Sequence, residues 1–465
     1  MEQPEATTKR IAILQPYLTE NRFAKIFTMC MLYFAQGVPF GFVSYLLASY
    51  VADRGFSMDV VGNLTAMITI PWSIKFIWGP IIDRFTYRPM GKRRPWIIIA
   101  QFFMVVTMAV MVLLPDITAN IKVLFALVFI NNVFASMQDV SVDALAVEIL
   151  EEKELGLANG LMFGSSAGGA SFSGIVLAYI MDAWGMKGAI CAQSLVLCVI
   201  MLLPIVFRER RGEKLLPWTK GKPMGTENQE TVESAGMFFK YIRKAFSLRS
   251  AILMIFAALL MKIAVELNAI VGTVYYIQQQ GWSDTEFSKT LGAIGIFSLA
   301  GCFIGGPLGD KFGHKRIAII STVLFGVNYL WFATNTDLWI NKTMVKVFFG
   351  LEAGLYGALS VCMFAMCMDI CLPVVAGTQF TTYMAMSNLS ATIGKKAANY
   401  FYDLFSRHDI MSYLGISTEG LSKESIGYGG CLVFWGIFQA VVIGVLFLFI
   451  DAHERKKAMA AEENG

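Results

Sequence analysis

Charge is scarce in this chain. Asp, Glu, Lys and Arg make up 15% of its 465 residues, against 56% hydrophobic residues and a mean hydropathy of +0.58. A soluble domain carries roughly 25% charged residues, so a water-exposed globular surface is excluded over most of the length. Histidine is scarcer still. His314, His408 and His453 are the only three, and all lie outside the apolar runs or at their very ends. This excludes membrane-buried imidazole as a proton carrier. The chain also lacks a zinc-type Cys/His spacing, a phosphate loop ending in Gly-Lys-Ser/Thr and a G-x-G-x-x-G phrase at a strand end, so nucleotide hydrolysis is not its energy source. Neither a cofactor nor a metal is expected. The net charge of +4 is too small to argue for a nucleic-acid partner. The polar stretch Met1 to Glu20 lacks the apolar centre of a cleavable signal, and the first apolar run is expected to serve as its own signal.

Apolar sequence is what fills the chain. A spanning helix needs ~20 mostly apolar residues, and twelve stretches qualify: 25–51, 58–82, 95–115, 120–148, 157–182, 187–207, 250–278, 284–309, 314–334, 343–370, 376–404 and 429–450. The expected architecture is an all-α membrane protein. It has a cytoplasmic N-terminal segment (1–24), a six-helix bundle (25–207), a cytoplasmic linker (208–249), a second six-helix bundle (250–450) and a cytoplasmic tail (451–465). Lys and Arg set the orientation. With both termini cytoplasmic, cytoplasmic segments and adjoining helix ends hold 26 of the 38, the opposite side holds 8, and 4 lie deep within spans. Within the linker, Met237 to Lys244 mixes aromatics and cations and reads as a short helix on the cytoplasmic leaflet. The eight cysteines fall in apolar segments and read as small hydrophobes, the i,i+4 pair Cys367 and Cys371 included.

One phrase occurs twice, 227 positions apart. Gly79-Pro80-Ile81-Ile82-Asp83-Arg84-Phe85 is echoed by Gly306-Pro307-Leu308-Gly309-Asp310-Lys311-Phe312. Basic clusters follow both copies: Gly91-Lys92-Arg93-Arg94 and Gly313-His314-Lys315-Arg316. A long-period echo marks a duplicated unit, and in a membrane chain two such halves mark a transporter that rocks one against the other. A carboxylate at a helix end can face the positive end of a neighbouring helix dipole, and the arginines can pair with it or with lipid phosphate. Gly79, Asp83, Arg84, Gly91, Arg93 and Arg94, with Gly306, Asp310, Lys311 and Arg316, are therefore candidates for a conformational latch.

The repeated phrase resembles the signature loop of the major facilitator superfamily, in which it has that latch role. The first copy has extra residues between Asp83 and Gly91. With Lys75 and Trp78 before it, the loop looks like that of a narrower branch, the bacterial muropeptide permeases and acetyl-coenzyme A transporters. Phe34-Ala35-Gln36-Gly37-Val38-Pro39 and the Gln138-Asp139-Val140-Ser141-Val142-Asp143 segment, continued by Glu151, Glu152 and Gly156, are similar to phrases of the same branch. The likeness covers helices 1 to 5; the second half resembles only the superfamily. It implies two pseudo-symmetric bundles, a cavity surrounded by helices 1, 4, 7 and 10, and rocker-type alternating access. The cargo it implies is a moderately large anionic solute such as a muropeptide fragment. No dense basic set for a nucleotide phosphate lies in the spans, which argues against acetyl-coenzyme A itself. It further implies a bacterial inner-membrane location.

Charges inside spans cost roughly 2.5–3.5 kcal/mol each on insertion scales and need a reason. Gln36, Gln138, Asp139, Asp143, Lys262, Glu266, Asn268, Glu352 and Lys395 form the candidate solute and coupling set. Structural readings stand beside it. Lys262 and Glu266 can neutralise one another at i,i+4. Asp143 and Glu148 can bind loop arginines, and Lys75 can pair with an acid of helix 4. Lys395 and Lys396 point ~100° apart, so at most one faces a cavity squarely. With no histidine available, proton coupling is expected through carboxylates, Glu266 beside Lys262 first among them. The seven-residue echo and the buried charges favour a secondary transporter working as a monomer in the bilayer. The alternatives are a sensor that keeps the fold without transport, or a carrier of another solute such as an acyl-coenzyme A, sugar or peptide. No span holds a His–acid or metal constellation, so an intramembrane enzyme ranks low. Gly160, Gly164 and Gly168 in helix 5 and Gly301, Gly305 and Gly309 in helix 8 read as close-approach faces.

Overall fold

The computed structural model describes residues 17–150, 152–221, 242–371 and 376–448; the side chains of Pro80, Asp83, Arg84, Val147, 152–157, Asn159 and 376–377 lie outside that description. The chain is helical nearly throughout. The first span, α1, is Arg22–Asp53 and the second, α2, is Met58–Ile77, continued by Trp78–Arg84. Next come α3 (Arg94–Leu113), α4 (Ile121–Ile149) and α5, which starts as Glu152–Phe172. The run goes on through a π-turn at Ser173–Leu177 into Ala178–Val206, where Gly185 at φ 71° breaks it and starts α6. The later spans are α7 (Arg249–Gln278), α8 (Asp284–Phe312), α9 (His314–Thr334), α10 (Lys342–Ile370), α11 (Ala376–Arg407) and α12 (Lys423–Leu448). Among the described residues ten helices are long and apolar enough to cross a membrane; α5 and α6 run together as one of them and α11 is not among them, so eleven of the twelve expected stretches fall in such helices. The last begins six residues earlier than its apolar stretch, which Lys423 and Glu424 had hidden.

Side-chain caps explain several starts. Asn21 accepts from the Ala24 N–H, Asn120 from Val123, Ser283 from Glu286, and Asn341 from Thr343 and Met344. Each satisfies an orphan donor at a helix N-terminus. The interruptions also have local causes. In α1, Pro39 removes a backbone donor and a π-turn follows at Phe42–Leu47. The Ser173 hydroxyl, from the π-turn of α5, donates to the Val38 carbonyl at 2.7 Å. In α2, Pro71 precedes a change to 3₁₀ geometry at Lys75–Ile77. In α7, regular geometry lapses at Met261–Lys262, where the Lys262 N–H donates to Ser390 Oγ of α11 at 3.1 Å. In hydrocarbon each freed backbone group must find a protein partner, and these hydroxyls supply it.

Two compact units emerge from the contacts. One comprises Met1–Ser44 with Ile74–Glu230, the other Tyr45–Ser73 with Thr231–Gly465. The second thus includes the end of α1 and most of α2. The reason is polar and close: Thr392 Oγ1 donates to Thr69 Oγ1 at 2.8 Å, Asn399 donates to Asp59 at 2.8 Å, and a Cβ at Gly62 would lie 2.5 Å from the Lys395 carbonyl. This packing also accounts for α11, whose sequence is too polar to pass as a span on hydropathy. Small residues in each unit serve packing within it. Gly37, Gly41 and Gly169 seat α1 on α5; Gly301, Gly305 and Gly357 seat α8 on α10, each leaving a hypothetical Cβ under 3 Å from the facing helix. Gly160 and Gly168 meet no neighbour that closely. The leaflet-helix reading of Met237 to Lys244 falls almost wholly outside the described residues, as do the segment 1–16 and the tail 449–465.

Candidate solute and coupling site

In the first unit the polar set of α1, α2 and α4 comes together. The 3₁₀ turn after Pro71 carries Lys75, and its Nζ lies 2.6 Å from Asp139 Oδ2; both side chains are largely buried. One turn further along the same α4 face, Asp143 accepts the hydroxyl hydrogen bond of Tyr33 from α1. Trp78 Nε1 donates to Ser136 at 3.2 Å. Gln138 is fully buried, yet neither its amide nitrogen nor its amide oxygen has a hydrogen-bond partner among the described residues. The Gln36 amide nitrogen is likewise buried and without a partner among them. Each such group costs about 1–3 kcal/mol when left dry.

The second unit holds two further groups. Glu266 Oε2 lies 3.4 Å from Lys395 Nζ, which is 2% exposed and also donates to the Thr65 carbonyl at 3.5 Å. Lys396 is exposed, so of the two neighbouring lysines Lys395 is the inward one. Lys262 sits at the break in α7, with its backbone N–H bonded to α11. Glu352 of α10 is buried with wholly neutral partners: it accepts from Asn268 Nδ2 at 3.0 Å and from the Tyr329 hydroxyl. The two carboxyls therefore differ in kind. Losing the Glu266 charge strands an ammonium, whereas Glu352 can change protonation without stranding any charge.

The candidate latch is a clasp of polar contacts in the first unit, around the loop before α3. Gly91 at φ 104° turns the chain so that the N–H groups of Lys92, Arg93 and Arg94 converge at the start of α3. They hold the Glu209 carboxylate at 2.9, 2.8 and 2.5 Å. Successive amides at a helix N-terminus form an anion-binding nest, and here a residue of the chain fills it. Glu148 at the end of α4 takes Lys92 Nζ at 2.7 Å and Arg93 Nη2 at 2.8 Å. The Arg94 side chain is buried, donating to Pro204 O at 2.6 Å and Met90 O at 2.9 Å and lying 3.5 Å from Glu213. Tyr17–Thr19 pairs along Arg208 and Glu209 by backbone bonds. Burial pushes the Glu213 carboxyl up to about 7, with the nearby Glu209 charge adding to the shift.

Glu209 and Glu213 escaped sequence reasoning. Two acids in the otherwise basic stretch after α6 were the available signal. Gly79 lies in the short helix that ends α2, while the side chains of Asp83 and Arg84 are outside the described residues. The second copy is built differently. Gly306 and Asp310 lie within α8, a single residue, Gly313, links α8 to α9, and Asp310 lies 3.2 Å from His314 in the first turn of α9. Lys311 lies over the Phe312 ring at 5.2 Å, and Arg316 sits in the first turn of α9.

A multi-pass helical membrane protein with polar side chains buried in its spans is the architecture of a solute carrier. The sequence profile of the major facilitator superfamily matches residues 26–395, and the chain belongs to that superfamily. It is 24% identical over 458 residues to the anhydromuropeptide permease of Escherichia coli (strain K12), covering 91% of this chain and 88% of that protein. An uncharacterized Haemophilus influenzae protein is 30% identical over 152 residues, 30% of this chain and 34% of that one. Among solved structures, a bacterial homolog of the human lysosomal transporter Spinster superposes with TM-score 0.66 at 13% identity, covering 94% of this chain and 97% of its own. The nucleoside transporter NupG gives 0.62 at 11%, covering 91% and 98%. These likenesses agree on the fold. The protein is a transporter of a small solute embedded in the membrane.

Proposed function

We propose that the protein is a proton-driven secondary transporter of a small-to-medium anionic solute, with a muropeptide-like fragment the leading candidate and both termini in the cytoplasm of a bacterial inner membrane. The observation that carries the reading is the Gln138 amide, buried and without a hydrogen-bond partner among the described residues, next in sequence to Asp139 of the Lys75–Asp139 pair. It suits a ligand rich in hydroxyls and amides, as a sugar–peptide fragment is, better than an apolar one. The extended similarity to a permease of anhydromuropeptides supports the same solute class. Glu352 is the proton carrier, because its partners, Asn268 and Tyr329, are neutral donors; Glu266 instead holds Lys395 in place. The basic loop before α3, bound to Glu148 and Glu209, acts as the conformational latch.

The test is counterflow of labelled anhydromuropeptide in proteoliposomes under an imposed pH gradient. Glu352→Gln should exchange solute at equal concentrations and fail to accumulate it uphill. Uphill accumulation at the parent rate removes Glu352 as the carrier. Solute binding with no counterflow at any pH gradient replaces transport by a sensor function.

A further inference from the structure

The loop after α6 carries a rigid turn that the transport reading leaves unused. Leu216 and Thr219 close it. The Thr219 N–H donates to the Leu216 carbonyl at 3.0 Å, its hydroxyl donates to the same carbonyl at 2.8 Å, and that hydroxyl accepts from the Leu216 N–H at 3.1 Å. Lys214 Nζ adds a bond to the Pro217 carbonyl at 3.4 Å. At the tip of this fixed turn, Trp218 is 79% exposed. Its depth is set by the buried Arg94. Nη2 of that residue donates to the Leu215 carbonyl at 2.5 Å and to the Ile205 carbonyl at 3.4 Å, so one guanidinium nitrogen holds the base of the turn against the last turn of α6. Leu202 and Val206 are exposed on that stretch of α6, as lipid-facing residues are. The turn thus starts at the level where the apolar span ends.

Cations surround the tip. The Lys214 N–H donates to the Pro89 carbonyl at 2.7 Å, which brings Arg88 and the exposed Tyr87 of the α2–α3 loop alongside. Arg88, Arg210 and Lys220 are exposed, and their side chains have no ion-pair or hydrogen-bond partner among the described residues. The nearby acids are committed elsewhere. Glu209 is held by three backbone N–H groups, Glu213 accepts the Glu209 N–H, Glu20 pairs with Arg211, and Glu148 takes Lys92 and Arg93. What remains is positive charge around an exposed indole at the end of a span. Tryptophan favours the membrane–water boundary, and cations within a Debye length of an anionic leaflet are drawn to its phosphates. A soluble partner would have to reach the indole at headgroup level, where lipid is already present.

We propose that the Leu216–Thr219 turn is a membrane anchor: Trp218 enters the headgroup layer at the end of α6, and Arg88, Arg210 and Lys220 bind the phosphates of anionic phospholipid there. The anchor is independent of the solute and of coupling. The probe is bimane on Pro217→Cys, an exposed position, in the full-length protein with the exposed Cys191 removed; the same background without the new cysteine gives the blank. The protein is reconstituted into nanodiscs of phosphatidylcholine and phosphatidylglycerol in equal parts, with a quenching nitroxide high on the acyl chain of one lipid or the other. Quenching should show phosphatidylglycerol enriched at the probe roughly fivefold, the worth of one cation at the surface. Inorganic phosphate, added at constant ionic strength, should leave that enrichment unchanged. Arg88→Gln with Arg210→Gln and Lys220→Gln should equalise the two lipids while quenching persists, and Trp218→Ser should lower quenching by both. No quenching by either lipid in the parent overturns the anchor, since the turn then meets solvent or another part of the chain. Equal quenching by the two lipids in the parent, a preference kept by the triple variant, displacement by phosphate, or quenching unchanged in Trp218→Ser each overturns it as well.

Discussion

Removing the Glu209 side chain should loosen the clasp before α3, and the structure sets the scale. Its carboxylate accepts three consecutive backbone N–H bonds at 2.9, 2.8 and 2.5 Å and is 4% exposed. A hydrogen bond to a charged group is worth about 1.5–3 kcal/mol, and an orphaned buried donor costs about 1–3 kcal/mol. Three such bonds would sum to more, but the nest opens at a helix N-terminus where water can recover part of the loss. Glu209→Ala should therefore cost about 3–5 kcal/mol, and Glu209→Gln, which keeps one acceptor oxygen, about 1–2 kcal/mol. In a chain of this length the first translates to a melting shift of roughly 3–5 °C. The assay is thermal unfolding of the detergent-solubilised protein followed by size-exclusion fluorescence, with counterflow measured in parallel. Gly91→Ala serves as the independent arm, because φ 104° disfavours any side chain there and a Cβ would lie 2.6 Å from the Glu209 carboxyl carbon. If Glu209→Ala melts within about 1 °C of the parent, the nest contributes nothing to stability. If it also transports at the parent rate, the latch role falls with it.

Three other outcomes are expected. Lys75→Ala should destabilise by about 3–5 kcal/mol because it leaves Asp139 buried and uncompensated; Lys75→Met with Asp139→Leu should recover much of that, and a double variant whose loss equals the sum of the singles would show that the two do not interact. The raised Glu213 carboxyl binds its proton more tightly in the folded clasp than in the unfolded chain, so its contribution is full below about 4.5 and lost as pH rises through about 7. The melting temperature of the parent relative to Glu213→Gln should accordingly rise on going from pH 8 to pH 6, and a flat difference across that window refutes the assignment. For orientation, cysteines placed at Trp218 and at Asn335, in a background with the exposed Cys191 removed, should label from the cytoplasmic and the opposite side respectively; the reverse pattern inverts the topology.

How much of this was legible in the sequence depended on the range of the interaction. Spans were legible because hydropathy is a local sum, and even α11 was counted as an apolar stretch although its buried Thr392 and Lys395 depress its apolar character. That Lys75 would meet an acid of α4 was legible from the cost of a charge in a span. Which acid was not, because Asp139 and Asp143 share one face a turn apart, and only the approach of Tyr33 from α1 assigns the second to a hydroxyl and leaves the first to the lysine. Glu266 has a lysine four residues before it, and the fold also brings Lys395, 129 positions away, to 3.4 Å from its carboxylate, a proximity that no i,i+4 spacing discloses. The repeated phrase disclosed the duplication, yet not that its first copy would end in a nest of backbone amides around Glu209. A nest is a shape of the main chain, made only when Gly91 takes a positive φ and the chain after α6 returns to it. By itself the sequence determined the class, nearly all of the spans and the residues that had to find partners in hydrocarbon. The tertiary structure alone decided which partners they found, since that choice rests on contacts between segments that no local periodicity connects.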